Sequence, residues 1–432
     1  MLATPELIKE AALPYRLGEV LPRWLREVPL YQRTDSMPEL GREAVSLAKL
    51  RHLPLITKED IRRDFPRNFL RAGVDLDTLV GQDLVELEHT SGTSEARTLL
   101  LLGRGWWAEQ EERALRLNPF VAAVLDEFPE ARRVTINSPV CSGDICYSGV
   151  PSRADRVVGN ALFVSLSRYP FLWGEAELAR MAAEAVEWRP QFLDVDPVYG
   201  VVFALYCERR GIRLPSLRFI LGSYEFVSMM HRRILERVFG VPVFNLYGST
   251  ETGHLLMEIG RGEMRPSHET ALLEVLNTDA QGISELAVTT LTNDYMPLIR
   301  YRIGDLVERH ERPYYTSYVV HGRVKDAFAA ADGRRVTTLQ VDRCLADLAG
   351  IAHYQLCERA VGEWLLRFVP DRTPPTAAEI EELRRRLGEA LGAGGGLAIQ
   401  QTDLLAPESS GKFRLGYPLR WDGSTRSAAP GG

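Results

Sequence analysis

Apolar positions recur at helical spacing in three stretches, "AELARMAAEAVEW", "MMHRRILERVFG" and "TAAEIEELRRRLGEALG". Each turns one apolar face per 3.6 residues toward a core. Around them lie short β-branched or apolar runs, "RRVTINSPV", "LRFILGS", "VPVFNLYG" and "ELAVTTL", of strand length and texture. Strands alternating with helices predict an α/β architecture. Its large N-terminal domain, residues 1–322, is expected to be mainly parallel sheet flanked by helices. After about residue 320 the texture changes to shorter elements, as in "HYQLCE", "WLLRFVP" and the helix from Thr376. A small α+β domain is expected over residues 323–432, with "GAGGG" as a loop and "STRSAAPGG" as a disordered end.

Ligands of open α/β sheets sit at the carboxyl ends of strands, in the loops that follow. The loops after "VELE" and after "PVFN" therefore carry the candidate chemistry. The first, "HTSGTSEAR", offers the hydroxyls of Thr90, Ser91, Thr93 and Ser94 with backbone N–H groups exposed near Gly92. Such a loop cradles phosphate oxygens without a side-chain cation. The second, "NLYGSTETG", packs Tyr247, Gly248, Ser249, Thr250 and Glu251 together. These suit a base stack, a phosphate contact and a hard cation such as Mg²⁺. In "MPLIRYRIGD", Asp305 ends a strand-like run and suits the two hydroxyls of a ribose. "HGRVKD" supplies Arg323 and Lys325, and "APESSGKFRLG" supplies Lys412. Taken singly, each is an ordinary turn, a solvated charge cluster or a surface lysine; their order and spacing together are not ordinary.

Composition narrows the partners. At 432 residues, 45% hydrophobic and 25% charged, the chain has the make-up of a globular protein of more than one domain. The net charge of −6, 52 basic against 58 acidic residues, argues against nucleic acid or an anionic membrane as the main partner. The start has no basic segment leading into an apolar core, so no secretory signal is expected. No apolar run approaches the roughly 20 residues of a membrane helix. Five cysteines fit reduced thiols in the cytoplasm.

In the order of these five stretches, from about Glu88 to about Leu415, the chain resembles the adenylate-forming superfamily of acyl-CoA synthetases and adenylation domains. It is most similar to the phenylacetate–CoA ligase-like branch, notably in "TTLTNDYMPLIRYRIGD" and in "HYQL". The resemblance implies ATP-dependent activation of a carboxylic acid, aromatic or arylacetic, to an acyl-adenylate with release of pyrophosphate. Transfer to the thiol of coenzyme A follows. Two alternatives stay open: loading of a carrier-protein phosphopantetheine, and a non-catalytic nucleotide-binding relative. The implied partners are a small acid with coenzyme A or a carrier protein, with a homodimer left open.

The resemblance also implies roles. Ser91, Gly92, Thr93 and Ser94 match the pyrophosphate loop, and Ser223, Tyr224 and Glu225 in "GSYEF" match the segment before the adenine pocket. Tyr247 would flank adenine, with Gly248 and Ser249 beside it. Thr250 would take the α-phosphate and Glu251 the Mg²⁺. Asp305 would take the ribose hydroxyls, with Arg323 beside it. Lys412 would meet the substrate carboxylate and α-phosphate. Lys325 falls at the hinge of a mobile C-terminal domain, whose rotation would withdraw Lys412 and admit the thiol. His254 and Tyr224 are the candidates for the acid pocket.

Two departures stand out. The family loop continues Thr-Gly-Lys-Pro, whereas here it continues "SEAR", with Glu95, Ala96 at the lysine position, and Arg97 as the neighbouring cation. Some relatives also carry a structural zinc on cysteines that "TGHLLMEIG" and "YVVHGR" lack. His321 alone cannot make a tetrahedral site, so no zinc is expected. Cys141 and Cys146 are expected as buried free thiols. Trp106 and Trp107 are expected in the core or an interface.

Overall fold

The structure, a computed structural model, describes residues 5–32, 50–90, 97–139, 151–393, 395–421 and 426–427. The loop residues Ser91, Gly92, Thr93, Ser94, Glu95 and Ala96 lie outside the described residues, as do Cys141 and Cys146. Two compact units partition the chain: residues 1–122 with 246–320, and residues 123–245 with 321–432.

The second unit holds the parallel sheet. Its strands lie in the order Val157–Val158, Ala161–Phe163, Arg133–Ile136, Phe192–Val195, Phe219–Gly222 and residues 243–245 of Val243–Ser249. All neighbours are parallel except the edge pair formed by Val157–Val158. Phe192–Val195 and Phe219–Gly222 are buried at every position, as strands covered on both faces must be. Parallel neighbours need long crossovers, and the helices Glu175–Trp188, Pro197–Arg210 and Met229–Phe239 supply them. Asp196 caps Pro197–Arg210 by accepting from the Val198 N–H, and Gly211 ends it at φ 66°. Ser228 caps Met229–Phe239 in the same way.

The same unit contains a four-stranded sheet ordered Leu397–Gln401, Glu363–Pro370, Ile351–Ala360, Gly416–Tyr417. Its central pair is antiparallel and its outer pairs are parallel. The helices Thr338–Leu345 and Ala377–Leu391 both start in capping boxes, Thr337 with Gln340 and Thr376 with Glu379. Leu383, Leu387 and Leu391, one stripe of the second helix, pack with Leu345, Leu356 and Leu366. The tail is not wholly irregular: Arg420–Trp421 pairs antiparallel with Arg426–Ser427.

In the first unit the helix Pro5–Glu27 buries Leu13, Leu17, Leu21 and Trp24. Val85–His89 and Leu99–Gly103 form an antiparallel pair. The remaining strands lie in the order Ala271–Leu276, Ile283–Thr290, Tyr301–Glu311, residues 316–320 of Thr316–Arg323, Glu263–Pro266, Gly253–Gly260 and residues 246–249. The registered pairs among them are antiparallel. The expected mainly parallel sheet is thus confined to residues 133–245. The reason is connection length, since a two-residue hairpin joins only antiparallel strands. Arg261 and Gly262, both at positive φ, are such a turn. Among the described residues no helix is long and apolar enough to cross a membrane.

Candidate active site

At the carboxyl ends of the parallel strands, the second unit brings Asp194, Asp196, Ser223, Tyr224 and Glu225 together with one lysine, Lys412. Ser223 follows Phe219–Gly222 and donates its hydroxyl to Asp194 Oδ1. Tyr224 donates its phenol to Asp194 Oδ2 at 2.9 Å, and Arg133 Nη1 lies 4.0 Å from the same oxygen. Tyr224 has φ 70°, a backbone conformation that bulky residues rarely adopt. Its carbonyl accepts from Lys412 Nζ at 3.2 Å. Glu225 Oε1 accepts the Phe413 backbone N–H at 2.6 Å. The electrostatics follow from burial. Asp196 is pushed up to about 7 by loss of solvent, an effect the Lys412 charge only partly opposes. Glu225 is raised well above the usual carboxylate range, first by burial and then by Asp196, with Lys412 and the Phe413 N–H opposing. The Lys412 side chain thus stands beside two carboxyls that resist ionisation.

Arg323 and Lys325 lie in this same unit. Lys325 sits in the turn Val324–Asp326, and burial pulls its ammonium below the ordinary lysine range, with Arg323 and Arg414 adding repulsion. Arg414 holds the turn from outside, pairing with Asp326 at 2.5 Å and donating to the Lys325 carbonyl at 3.4 Å. His321 is buried with Nδ1 3.0 Å from Thr337 Oγ1. Among the described residues no group of three His, Cys, Asp or Glu converges as a metal site.

The first unit collects the second half of the predicted residues. Val243–Ser249 ends at Ser249, and Thr250 and Glu251 form the turn into Gly253–Gly260. The turn is as tight as backbone allows. A Cβ on Gly248 would meet the Gly253 carbonyl oxygen at 2.2 Å, and one on Gly253, at φ 73°, would meet Trp106 at 2.9 Å. Tyr247 donates its phenol to Asp305 Oδ2 at 2.7 Å, so the two residues expected around a nucleoside share one hydrogen bond. Glu251 is buried, accepts from Tyr301 Oη at 3.3 Å and pairs with Lys58 Nζ at 3.1 Å. Burial alone would raise its pKa. Lys58, a backbone N–H and the Ser249 hydroxyl outweigh burial and hold the carboxyl below its usual range. His254 is buried and packs on Trp107 with ring centroids 4.8 Å apart. Trp106 is buried and donates to Thr292 Oγ1 at 2.9 Å.

The ends of the phosphate-loop stretch are pinned. The Thr90 N–H bonds the Thr98 carbonyl, and the Thr98 N–H bonds Thr90 Oγ1, both at 3.0 Å. Arg97 is exposed beside this clasp.

Lys58, on the short helix Lys58–Arg62, is a partner of Glu251 that the motif spacing does not reveal. A compositional signal points to it. Only five of the 52 basic residues are lysines, at 9, 49, 58, 325 and 412. A chain that uses arginine nearly everywhere keeps an ammonium at three of the positions discussed here. Asp194 and Asp196 escape a motif reading because acidic residues at a strand end are common.

No family model matches the chain. A phenylacetate-coenzyme A ligase of Thermus thermophilus is 27% identical over 230 residues, 47% of this chain and 49% of that protein. Protein CapK of Staphylococcus aureus is 34% identical over 89 residues, 21% of this chain and 20% of that protein. The match thus spans about half the length of the first of these curated relatives. Among solved structures, a 2-hydroxyisobutyryl-CoA ligase in the postadenylation state, in complex with 2-HIB-AMP, is similar with a TM-score of 0.68. Its identity is 18%, and the match covers 96% of this chain and 89% of that one. The chain shares the fold of this CoA ligase structure, and about half of its sequence aligns at 27% identity with a phenylacetate-coenzyme A ligase.

Proposed function

We propose that this protein activates a carboxylic acid with ATP and then passes the acyl group to the thiol of coenzyme A. The observation that carries the reading is the position of Lys412. Its ammonium lies against the Tyr224 carbonyl at the ends of the parallel strands, where α/β folds bind ligands. In the first step a carboxylate oxygen bonds to the α-phosphorus while the α–β bridging P–O bond breaks, and pyrophosphate leaves with the electron pair. Two anions must meet for this, and a positioned ammonium neutralises both. In the second step a thiolate sulfur bonds to the acyl carbon and AMP leaves. Support comes from the matched relative, whose name is that of a coenzyme A ligase acting on phenylacetate. That name is also the reason for proposing an aromatic or arylacetic acid.

In this reading Tyr247, with Gly248 and Ser249, lines the adenine site, Asp305 takes the ribose hydroxyls with Arg323, and Thr250 takes the α-phosphate. Ser91, Gly92, Thr93 and Ser94 cradle pyrophosphate, Ser223, Tyr224 and Glu225 border the nucleotide, and His254 borders the acid. Glu251 suits Mg²⁺, because a single buried carboxylate kept ionised complements a hard cation that draws its other ligands from phosphate and water. When bound, that ion neutralises phosphate charge. Lys58, already at this carboxylate, keeps it ionised. Residues 323–432 turn about Lys325 between the two steps.

The test is a pyrophosphate-release screen over aryl and aliphatic acids, with and without coenzyme A. AMP is the expected product with a cognate acid, and ADP with inorganic phosphate would overturn the reading. Arg97→Ala should raise the KM for ATP more than about tenfold, since a charged hydrogen bond contributes about 1.5–3 kcal/mol. An unchanged KM would leave the loop acting through hydroxyls and amides alone.

A further inference from the structure

Five consecutive residues carry Lys412, and all are seated by residues of the parallel-sheet region. The Ser409 carbonyl accepts from Arg168 Nη1 at 2.8 Å, the Ser410 carbonyl from the Ser138 hydroxyl at 3.4 Å, and the Gly411 carbonyl from the Tyr199 hydroxyl at 3.0 Å. Gly411 is at φ 84°, and an added Cβ would lie 1.9 Å from Ser138 Oγ, so the backbone itself approaches as closely as it can. Phe413 closes the run. Its ring is buried and meets three other rings edge-on: Phe171 at 5.8 Å, Tyr199 at 6.0 Å and His353 at 5.3 Å between centroids. With Phe413 fixed on one side and Gly411 on the other, the ammonium of Lys412 is left to reach outward to Tyr224.

We propose that Phe413 is the positioning residue of Lys412, an aromatic anchor that seats on Phe171 and Tyr199 for adenylation and leaves them for the thiol step, with His353 travelling behind it on the same domain. This rests on the ligase reading above and adds its mechanical element. A lysine has four rotatable carbons and places its charge poorly unless its Cα is held. Burying one ring holds it, and withdrawing that ring from Phe171 and Tyr199 is the work that sets how readily Lys412 retires.

The experiment compares Phe413→Leu, Phe413→Ala and Arg168→Ala with the parent protein by three measurements. These are pyrophosphate release from acid and ATP, thioester formation from synthetic phenylacetyl-adenylate with coenzyme A, and amide hydrogen exchange over residues 409–414. Phe413→Ala should lower kcat for pyrophosphate release by about 100-fold with the KM for ATP little changed, and Phe413→Leu should recover most of it. Thioester formation should hold at the parent rate or exceed it. Exchange at 409–414 should rise about tenfold or more in Phe413→Ala, and less in Arg168→Ala, while the helix Ala377–Leu391 keeps its protection. Equal loss in both half-reactions, or unchanged exchange at 409–414, would overturn the anchor. Failure of the parent protein to release pyrophosphate with any acid would instead count against the ligase reading, and exchange would still decide on the anchor.

Discussion

Lys412→Ala is expected to abolish adenylate formation, lowering pyrophosphate release from acid and ATP by about 10³-fold, the upper end of what one preorganised charge-stabilising group contributes. The same variant should still convert a supplied acyl-adenylate to thioester. The asymmetry follows from the proposed role. Lys412 Nζ sits at the Tyr224 carbonyl beside Glu225 and Asp196; in the proposed reaction it neutralises two anions during adenylation, and the thiol step needs no such cation. Because the Phe413 ring and its N–H bond to Glu225 do not involve the lysine side chain, the variant should keep its fold. Equal slowing of both half-reactions would make Lys412 structural and remove the case for two arrangements of the chain.

Lys58→Ala should destabilise the protein by about 2 kcal/mol at pH 7 and weaken one pH dependence. Removing one partner of a fully buried pair costs about 3–5 kcal/mol. The smaller figure applies because the Lys58 side chain is 37% exposed, so solvent screens part of its field. In the parent, the Glu251 pKa lies below its unfolded value. The stability this contributes is present above the unfolded pKa and fades as the pH falls through the folded one. Without Lys58, burial is opposed only by the backbone and Ser249 hydrogen bonds, so the folded pKa moves up toward the unfolded value and this contribution shrinks. Urea unfolding at pH 4 and pH 7 should therefore show a larger gap between variant and parent at pH 7. An equal gap at both values would mean that the contact between Lys58 and Glu251 is packing rather than charge.

Much of this molecule is legible in one dimension. The stripes of "AELARMAAEAVEW", "MMHRRILERVFG" and "TAAEIEELRRRLGEALG" become the helices Glu175–Trp188, Met229–Phe239 and Ala377–Leu391. The apolar runs between them become Arg133–Ile136, Phe219–Gly222, Val243–Ser249 and Ile283–Thr290. Periodicity and caps are local quantities, recorded within a turn or two of chain. The same holds for the tight turn at Gly248 and Gly253, where the residue type itself states the steric requirement.

Pairing and partnership are not local. Whether Ile283–Thr290 joins a parallel or an antiparallel sheet depends on which strand lies beside it, and both its neighbours are antiparallel. Tyr247 meets Asp305 across 58 residues, and Phe413 meets Glu225 across 188. Lys58 meets Glu251 although nothing near position 58 announces it. The sequence by itself determined where its most regular helices and apolar strands lie, because periodicity is local. Only the tertiary structure decided which carboxylate each lysine faces, because charge pairing and desolvation depend on distances in space that chain spacing does not encode.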